Sequence, residues 1–431
     1  MISQFIFSCL LIAGIFLFTK NVRKVIRNIR LGKQLDRSDR PGERWMTMIR
    51  VAMGQSKMVS RPVAGIFHFF IYAGFVIINL EVLEILIDGV FGTHRVFAPL
   101  GFLYNVLIGS FEILALLVLI GCVVFLIRRN VLKIKRFWMR EMTSWPRTDA
   151  NIILITEILL MAAFLTLNAT DNILQIRNVE HYTVAGAFPV SSWINSFFAP
   201  MSTEAVIMIE RVCWWFHIIG IIAFLNYIPY SKHFHILLAF PNVYYSNLDN
   251  KGRFTNMESV TREVKLMLDP SAVAPAVDTP PASFGAKDIH DLTWKNLMDA
   301  YSCTECGRCS SVCPANQTGK LLSPRKIMMD TRDRMEEVGN NMDKKGKDFR
   351  DDKNLFDYIT EEELWACTTC NACVEACPVN IDPLIIILEM RRYLVMEQSK
   401  VPSELGTMFS KIENNGAPWQ FAQADRLNWA Q

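Results

Sequence analysis

Eight cysteines of this 431-residue chain fall into two copies of one spacing, Cys-x-x-Cys-x-x-Cys-x-x-x-Cys-Pro. They are Cys303, Cys306, Cys309 and Cys313 before Pro314, then Cys367, Cys370, Cys373 and Cys377 before Pro378. Thiolates at this spacing hold iron–sulfur cubanes, and in a tandem pair the fourth cysteine of each run ligates the other cluster. The predicted ligand sets are therefore Cys303, Cys306, Cys309 with Cys377, and Cys367, Cys370, Cys373 with Cys313, for two [4Fe-4S] clusters. Paired Cys-x-x-Cys can also hold zinc, or form disulfides in a secreted protein. A doubled run of four, each followed by proline, favours clusters. The other three of the 11 cysteines, Cys9, Cys122 and Cys213, lie in apolar stretches, where a thiol packs as a small hydrophobe. Clusters and free thiols together point to a reducing compartment.

Histidine is the second residue type with chemistry to offer. Of the 7 histidines, His68, His217, His233 and His235 lie in or at the ends of apolar stretches, where a polar side chain is costly and usually functional. Neutral imidazole is a ligand for haem iron.

The elements that must position these groups divide the chain in two. Composition is 51% hydrophobic and 20% charged, and the apolar residues concentrate before residue 241. Five segments are long enough for a hydrocarbon core of roughly 30 Å, which takes about 20 helical residues. They run near Ile2–Thr19, Val63–Ile87, Leu103–Ile127, Ile152–Ile176 and Ala205–Ile228. The first has no basic leader and no small-residue cleavage site, and Lys20, Arg23, Lys24, Arg27 and Arg30 follow it, so it reads as a retained anchor. Basic residues crowd the loops after the first and third segments, the latter holding Arg128, Arg129, Lys133, Lys135, Arg136, Arg140 and Arg147. The other two loops hold one each, Arg95 and Arg177. The positive-inside rule then puts the N-terminus outside and everything after Tyr230 in the cytoplasm. The net charge of +3 hides this asymmetry and gives no sign of nucleic acid as a partner.

The expected fold class is mainly α. A five-helix transmembrane bundle (residues 1–240), for haem b and quinone, precedes a linker (241–286). A cytoplasmic α-helical ferredoxin-like domain with two [4Fe-4S] clusters (287–400) follows, then a tail (401–431) whose Trp419 and Trp429 could contact a subunit. The linker includes the Pro/Ala-rich run Asp269–Gly285, which has no apolar period. Between the cysteine motifs, Met328, Met329, Arg332 and Met335 suggest a helix that ends before the Gly-Asn-Asn at 339–341.

In this topology His68 lies about one turn into the second helix from the cytoplasmic side, and His235 lies at the cytoplasmic end of the fifth. Both can meet at one depth as a bis-histidine haem b site. His217 and His235 are 18 residues apart, five helical turns and about 27 Å, although Pro229 interrupts the helix. His217 is a second haem ligand, a quinone ligand or a hydrogen-bonded core histidine. Ile78 stands ten residues beyond His68, where a partner on the same helix face would be, which leaves His94 or His181 from an outer loop to complete an outer site. His233 reads as structural or as a haem-propionate neighbour. Glu112, Glu157, Glu81, Glu84, Asp171, Glu210 and Arg211 lie inside apolar segments and either line a proton path or pair between helices.

Two stretches carry a family resemblance. WWFHIIGIIAFLNYIPYSKHFH (Trp214–His235) resembles the last helix of the respiratory nitrate reductase gamma subunit, including its histidine interval. LTWKNLMDAYSCTECGRCSSVCPANQTGKLLSPRKI (Leu292–Ile327) resembles the cluster domain of membrane-bound heterodisulfide reductases. Joined in one chain, they resemble electron-transfer-flavoprotein:menaquinone oxidoreductases. The resemblance implies haem b on His68 and His235, two cubanes and a menaquinone site in a multi-pass protein of the bacterial cytoplasmic membrane. It also implies an oxidoreductase subunit fed by a soluble electron-transfer flavoprotein. The family continues into Cys-Cys-Gly domains, and this chain has no Cys-Cys pair. A separate Cys-Cys-Gly iron–sulfur subunit is therefore the expected partner. The alternative function is quinol oxidation that feeds a cytoplasmic heterodisulfide or sulfur-compound reductase.

Overall fold

The computed structural model describes residues 1–250, 252–269, 271 and 283–431. Each apolar run forms a helix: α1 Ile2–Ile29, α2 Pro62–Phe91, α3 Phe102–Leu126, α4 Ser144–Ile176 and α5 Thr203–Tyr227. All five are long and apolar enough to cross a membrane. Local signals set their ends. Pro62 opens α2 at a position whose N–H would be unpaired anyway, left-handed Gly92 closes it, and Ser202 caps α5 by accepting from Ala205 N. In the bundle α4 packs between α3 and α5, α2 lies on α3, and α1 bridges α2 and α5.

Intramembrane charge is organised around Arg95 rather than Arg211. Arg95 donates to Asp171 Oδ2 at 2.6 Å, Tyr104 Oη at 3.0 Å and Asn168 Oδ1 at 3.1 Å, while Arg211 pairs with its neighbour Glu210. Glu84 accepts from Tyr104 Oη at 2.8 Å, and Glu112 accepts from Val190 N at 2.9 Å and from Ser191 N at 3.1 Å. These bonds tie the far-side loops onto α2, α3 and α4.

The second half is also helical. α6 is His235–Tyr244; α7 Trp294–Ser302, α8 Arg308–Val312, α9 Pro324–Lys345, α10 Glu361–Trp365, α11 Ala372–Ala376 and α12 Pro383–Met396 enclose Leu297, Ile327, Met335, Leu355, Ile386 and Met390. No strand occurs among the described residues, and an isolated parallel bridge joins Lys33 to Thr293. The tail forms α13, Ser403–Asn415, and leaves Trp419 and Trp429 exposed.

Three expectations about element bounds differ from the structure. α1 runs well past Thr19, because its basic end is bound by the second half: Lys24 pairs with Asp343 at 2.8 Å, Arg27 donates to Gly339 O at 2.9 Å and Asn28 donates to Tyr301 Oη at 2.9 Å. α9 continues through the Gly-Asn-Asn sequence to Lys345. Gly339 is there for close approach, since a Cβ on it would run into the Asn28 side chain. The expected linker is partly helical, taking in the end of α6 and a helix at Glu258–Leu268, and the Pro/Ala-rich run lies largely outside the described residues.

Candidate redox centre

The two cysteine loops share one backbone design. Glu305 and Gly307 in the first, and Thr369 and Asn371 in the second, occupy matched positions with positive φ between 54° and 69°. Such turns aim successive N–H groups into a concavity suited to an anionic centre. Thr369 N donates to Cys367 Sγ at 3.4 Å, and Ile381 N donates to Cys377 Sγ at 3.3 Å. α8 and α11, which follow the two loops, pack against each other.

That packing crosses the motifs. Cys377 stands in the electrostatic neighbourhood of Cys303 and Cys306, and Cys313 in that of Cys367 and Cys373. One pocket is lined by Cys303, Cys306, Cys309, Cys377 and also Cys373. No group of three His, Cys, Asp or Glu side chains among the described residues is close enough for a single metal ion. The thiols instead surround a space, the donor arrangement that fits a multi-iron group better than zinc. Burial pushes the Cys303 thiol up to about 11 and Cys377 up to about 12. Metal loading must therefore displace protons from these sulfurs. Cys370 is exposed, whereas Cys303, Cys313 and Cys373 are buried.

The His68 and His235 ring centres are 6.4 Å apart, with planes at 43°. Two imidazoles ligating one metal from opposite sides place their ring centres roughly 6 Å apart, because each metal–nitrogen bond is about 2 Å. In each ring Nδ1 is held: His68 Nδ1 by Gln55 Oε1 at 3.0 Å, and His235 Nδ1 by Lys232 O at 3.1 Å. Fixing one nitrogen orients the other as ligand, and the pair would suit an iron held by two imidazoles. His233 stands 5.5 Å from His235, ring to ring, and its buried Nε2 has no hydrogen-bond partner. Burial holds His235 below the usual histidine range and His233 at about 3.

His217 is not brought to another histidine. On α5 it is buried against α4, with Nδ1 3.1 Å from Leu160 O and its ring 5.9 Å from Phe164. His94 and His181 pair with each other at 5.6 Å, beside Tyr182 and Asp171, and make no ring contact with His217. The expected helical register of His217 and His235 is lost, because the chain breaks at Ser231, which is extended at φ −114° and ψ 151°. Asp149 holds that break: its Oδ1 accepts from Ser231 Oγ at 2.6 Å and Tyr227 Oη at 2.5 Å, and Oδ2 accepts from Lys232 N at 3.2 Å.

Cluster loop and histidine pair are joined by polar contacts. Arg308, between Cys306 and Cys309, donates to Lys57 O at 2.9 Å; Lys57 Nζ donates to Cys377 O at 3.3 Å; Arg61 donates to Ser311 Oγ at 2.6 Å. Arg308 is also within electrostatic reach of His68. Sequence reasoning did not find Gln55, Asp149 or Arg308. Only the Gly-Arg inside the first motif was a signal.

Comparison with known proteins agrees with this division. Residues 299–381 match the family model for the 4Fe-4S dicluster domain. A probable iron-sulfur-binding oxidoreductase, FadF, of Bacillus subtilis is 28% identical over 96% of this chain and 59% of its own length. EtfAB:quinone oxidoreductase of Syntrophomonas wolfei is 27% identical over 92% of this chain and 55% of its own length. One of the polypeptides of the ferredoxin/F(420)H(2)-dependent CoB-CoM heterodisulfide reductase of Methanosarcina acetivorans is 34% identical over 24% of this chain and 52% of its own. The chain thus spans less than two thirds of the length of these relatives. No solved structure matches. The protein is a helical membrane protein carrying a 4Fe-4S dicluster domain, and over nearly all of its length it is similar to proteins named as oxidoreductases, one of them as a probable iron-sulfur-binding one.

Proposed function

We propose that this chain is the membrane electron-transfer subunit of a quinone oxidoreductase, in which electrons from a cytoplasmic donor reach menaquinone through two [4Fe-4S] sites and one haem b. The observation that carries the reading is the pair His68 and His235, 6.4 Å apart, each anchored through Nδ1, with His68 within electrostatic reach of Arg308 in the first cysteine loop. When bound, the iron groups supply one-electron transfer, at potentials set by the surrounding protein. The residues have distinct tasks. Cys367, Cys370, Cys373 and Cys313 hold the site nearer the surface, where Cys370 is exposed to a donor. Cys303, Cys306, Cys309 and Cys377 hold the site above the histidines, and Arg308 and Lys57 fix the two layers together. His68 and His235 hold the haem iron. His217, apart from every other histidine ring, is left to the quinone or to packing.

The donor is an electron-transfer flavoprotein or a Cys-Cys-Gly iron–sulfur subunit. The relative named EtfAB:quinone oxidoreductase supports this assignment and the quinone. A reverse reading, quinol oxidation that feeds a disulfide reductase, is favoured by another relative. It is a polypeptide of the dihydromethanophenazine:CoB--CoM heterodisulfide reductase of Methanosarcina mazei, 30% identical over 33% of this chain and 35% of its own length. The test is optical. Purified protein reduced with dithionite should show a b-type band that disappears when a menaquinone analogue is added anaerobically. Absence of that band, or its persistence with excess quinone, would overturn the reading.

The cluster half belongs in the cytoplasm, with the N-terminus outside the bacterial cytoplasmic membrane, on the strength of basic residues such as Arg128, Arg129 and Lys133 in one set of loops. A reporter fused after Gln431 should be active in the cytoplasm, and one inserted between Arg177 and Thr203 should report the exterior. The opposite pattern would reverse the topology.

A further inference from the structure

The charges around the two cysteine sites are unequal. Beside Cys303, Cys306, Cys309 and Cys377, Lys232 and Arg332 pair with Glu305, and Arg325 pairs with Glu141. Three more cations stand there with no carboxylate in ion-pair range among the described residues. Arg61 and Arg308 are bonded to the neutral acceptors Ser311 Oγ and Lys57 O. Arg136 is only 9% exposed, and its Nε has no hydrogen-bond partner. The three lie together. Arg136 is within electrostatic reach of Arg61, Arg308 and Cys306, and Arg308 within reach of Cys306 and Cys377. Gly307 makes the approach possible, because a Cβ on it would sit 3.3 Å from Arg136 Cβ and 2.5 Å from Arg325 Nη1. Like charges collected out of water repel and lose hydration. An anionic centre beside them offsets both costs.

Among the described residues, no such set of arginines is seen beside Cys367 and Cys373 of the other site. Its charged neighbours include Asp382, which adds to the upward push that burial gives the Cys373 thiol, and Arg391, which lies over Trp365 and donates to Leu364 O and Cys367 O.

We propose that Arg61, Arg136 and Arg308 are positioning residues that hold the cluster on Cys303, Cys306, Cys309 and Cys377 at a higher reduction potential than the cluster on Cys367, Cys370, Cys373 and Cys313, so that electrons run inward. This rests on the cluster ligand sets proposed above. As one electron leaves the outer site, one arrives at the inner. One unit of negative charge thus moves from the neighbourhood of Asp382 to that of three arginines, and no proton is required. Such an order favours quinone reduction over quinol oxidation.

The experiment is potentiometric titration of both clusters by electron paramagnetic resonance in the purified full chain, with the inner signal identified as the one lost in Cys309→Ser. Arg136→Gln should make the inner cluster at least tenfold harder to reduce, about 59 mV for one electron. The outer cluster should not move, and Arg136→Lys should restore the inner value. Equal movement of both signals, or none, would overturn the proposal and leave the cluster reading intact. Fewer than two cluster signals in the unaltered protein would overturn the cluster reading itself.

Discussion

Serine at Cys313 is expected to halve the iron of the protein, from about eight atoms per chain to about four, by removing the cluster built on the other motif. The reason is the pairing of α8 with α11, which brings Cys313 within electrostatic reach of Cys367 and Cys373. The first pocket keeps Cys303, Cys306, Cys309 and Cys377 in that variant, so one cluster signal should survive with its titration unchanged. Iron and sulfide analysis combined with paramagnetic resonance reads both consequences. Loss of the signal that Cys309→Ser also loses, with the other intact, would mean that each motif serves its own cluster and that the crossed assignment is wrong.

Alanine at His68 or at His235 should abolish the b-type band outright while both cubanes remain reducible. A single remaining imidazole could not give a bis-histidine spectrum, and α2 holds no other histidine. His233 is the one nearby ring that could substitute, and its backbone N is tied to Ser231 Oγ at 3.1 Å. Gln55→Ala should act more gently, because it frees His68 Nδ1 without removing the ligand. Haem affinity should fall about 10–100-fold, the usual effect of losing an orienting partner. Unchanged absorption in both alanine variants would end the case for haem at this pair.

How much of this was readable beforehand depends on the range of the signal. The apolar runs and the cysteine spacing are local patterns, and the five helices and the dicluster domain follow from them. The meeting of His68 and His235 was also within reach, since loop charge and helix length fix depth. Beyond that, the deciding contacts join residues far apart in sequence. Asp149 lies on α4 and yet sets the backbone after α5; nothing near Ser231 announces it. Arg95 reads as one cation in an outer loop, but folding places it against Asp171, Tyr104 and Asn168. Gly339 in a Gly-Asn-Asn sequence has the local look of a helix end, and its use in close packing appears only when Asn28 is beside it. The identity of the side chain was available in each case; its neighbour was not.

The long end of α1 changes what kind of joint connects the halves of this protein. With Lys33 bridged to Thr293, Trp294 Nε1 bonded to Leu35 O at 2.9 Å and Arg27 and Asn28 gripping α9 and α7, the C-terminal half is bolted to the first helix as well as to α6, where Asn242 donates to Val379 O and accepts from Lys295. A hanging domain would swing, and the gap an electron must jump would vary from moment to moment with the length of its tether. A bolted one sets that gap once, at assembly. It is Lys24, Arg27 and Asn28 at the foot of α1, half-buried or buried against α9 and α7, that are not free to drift.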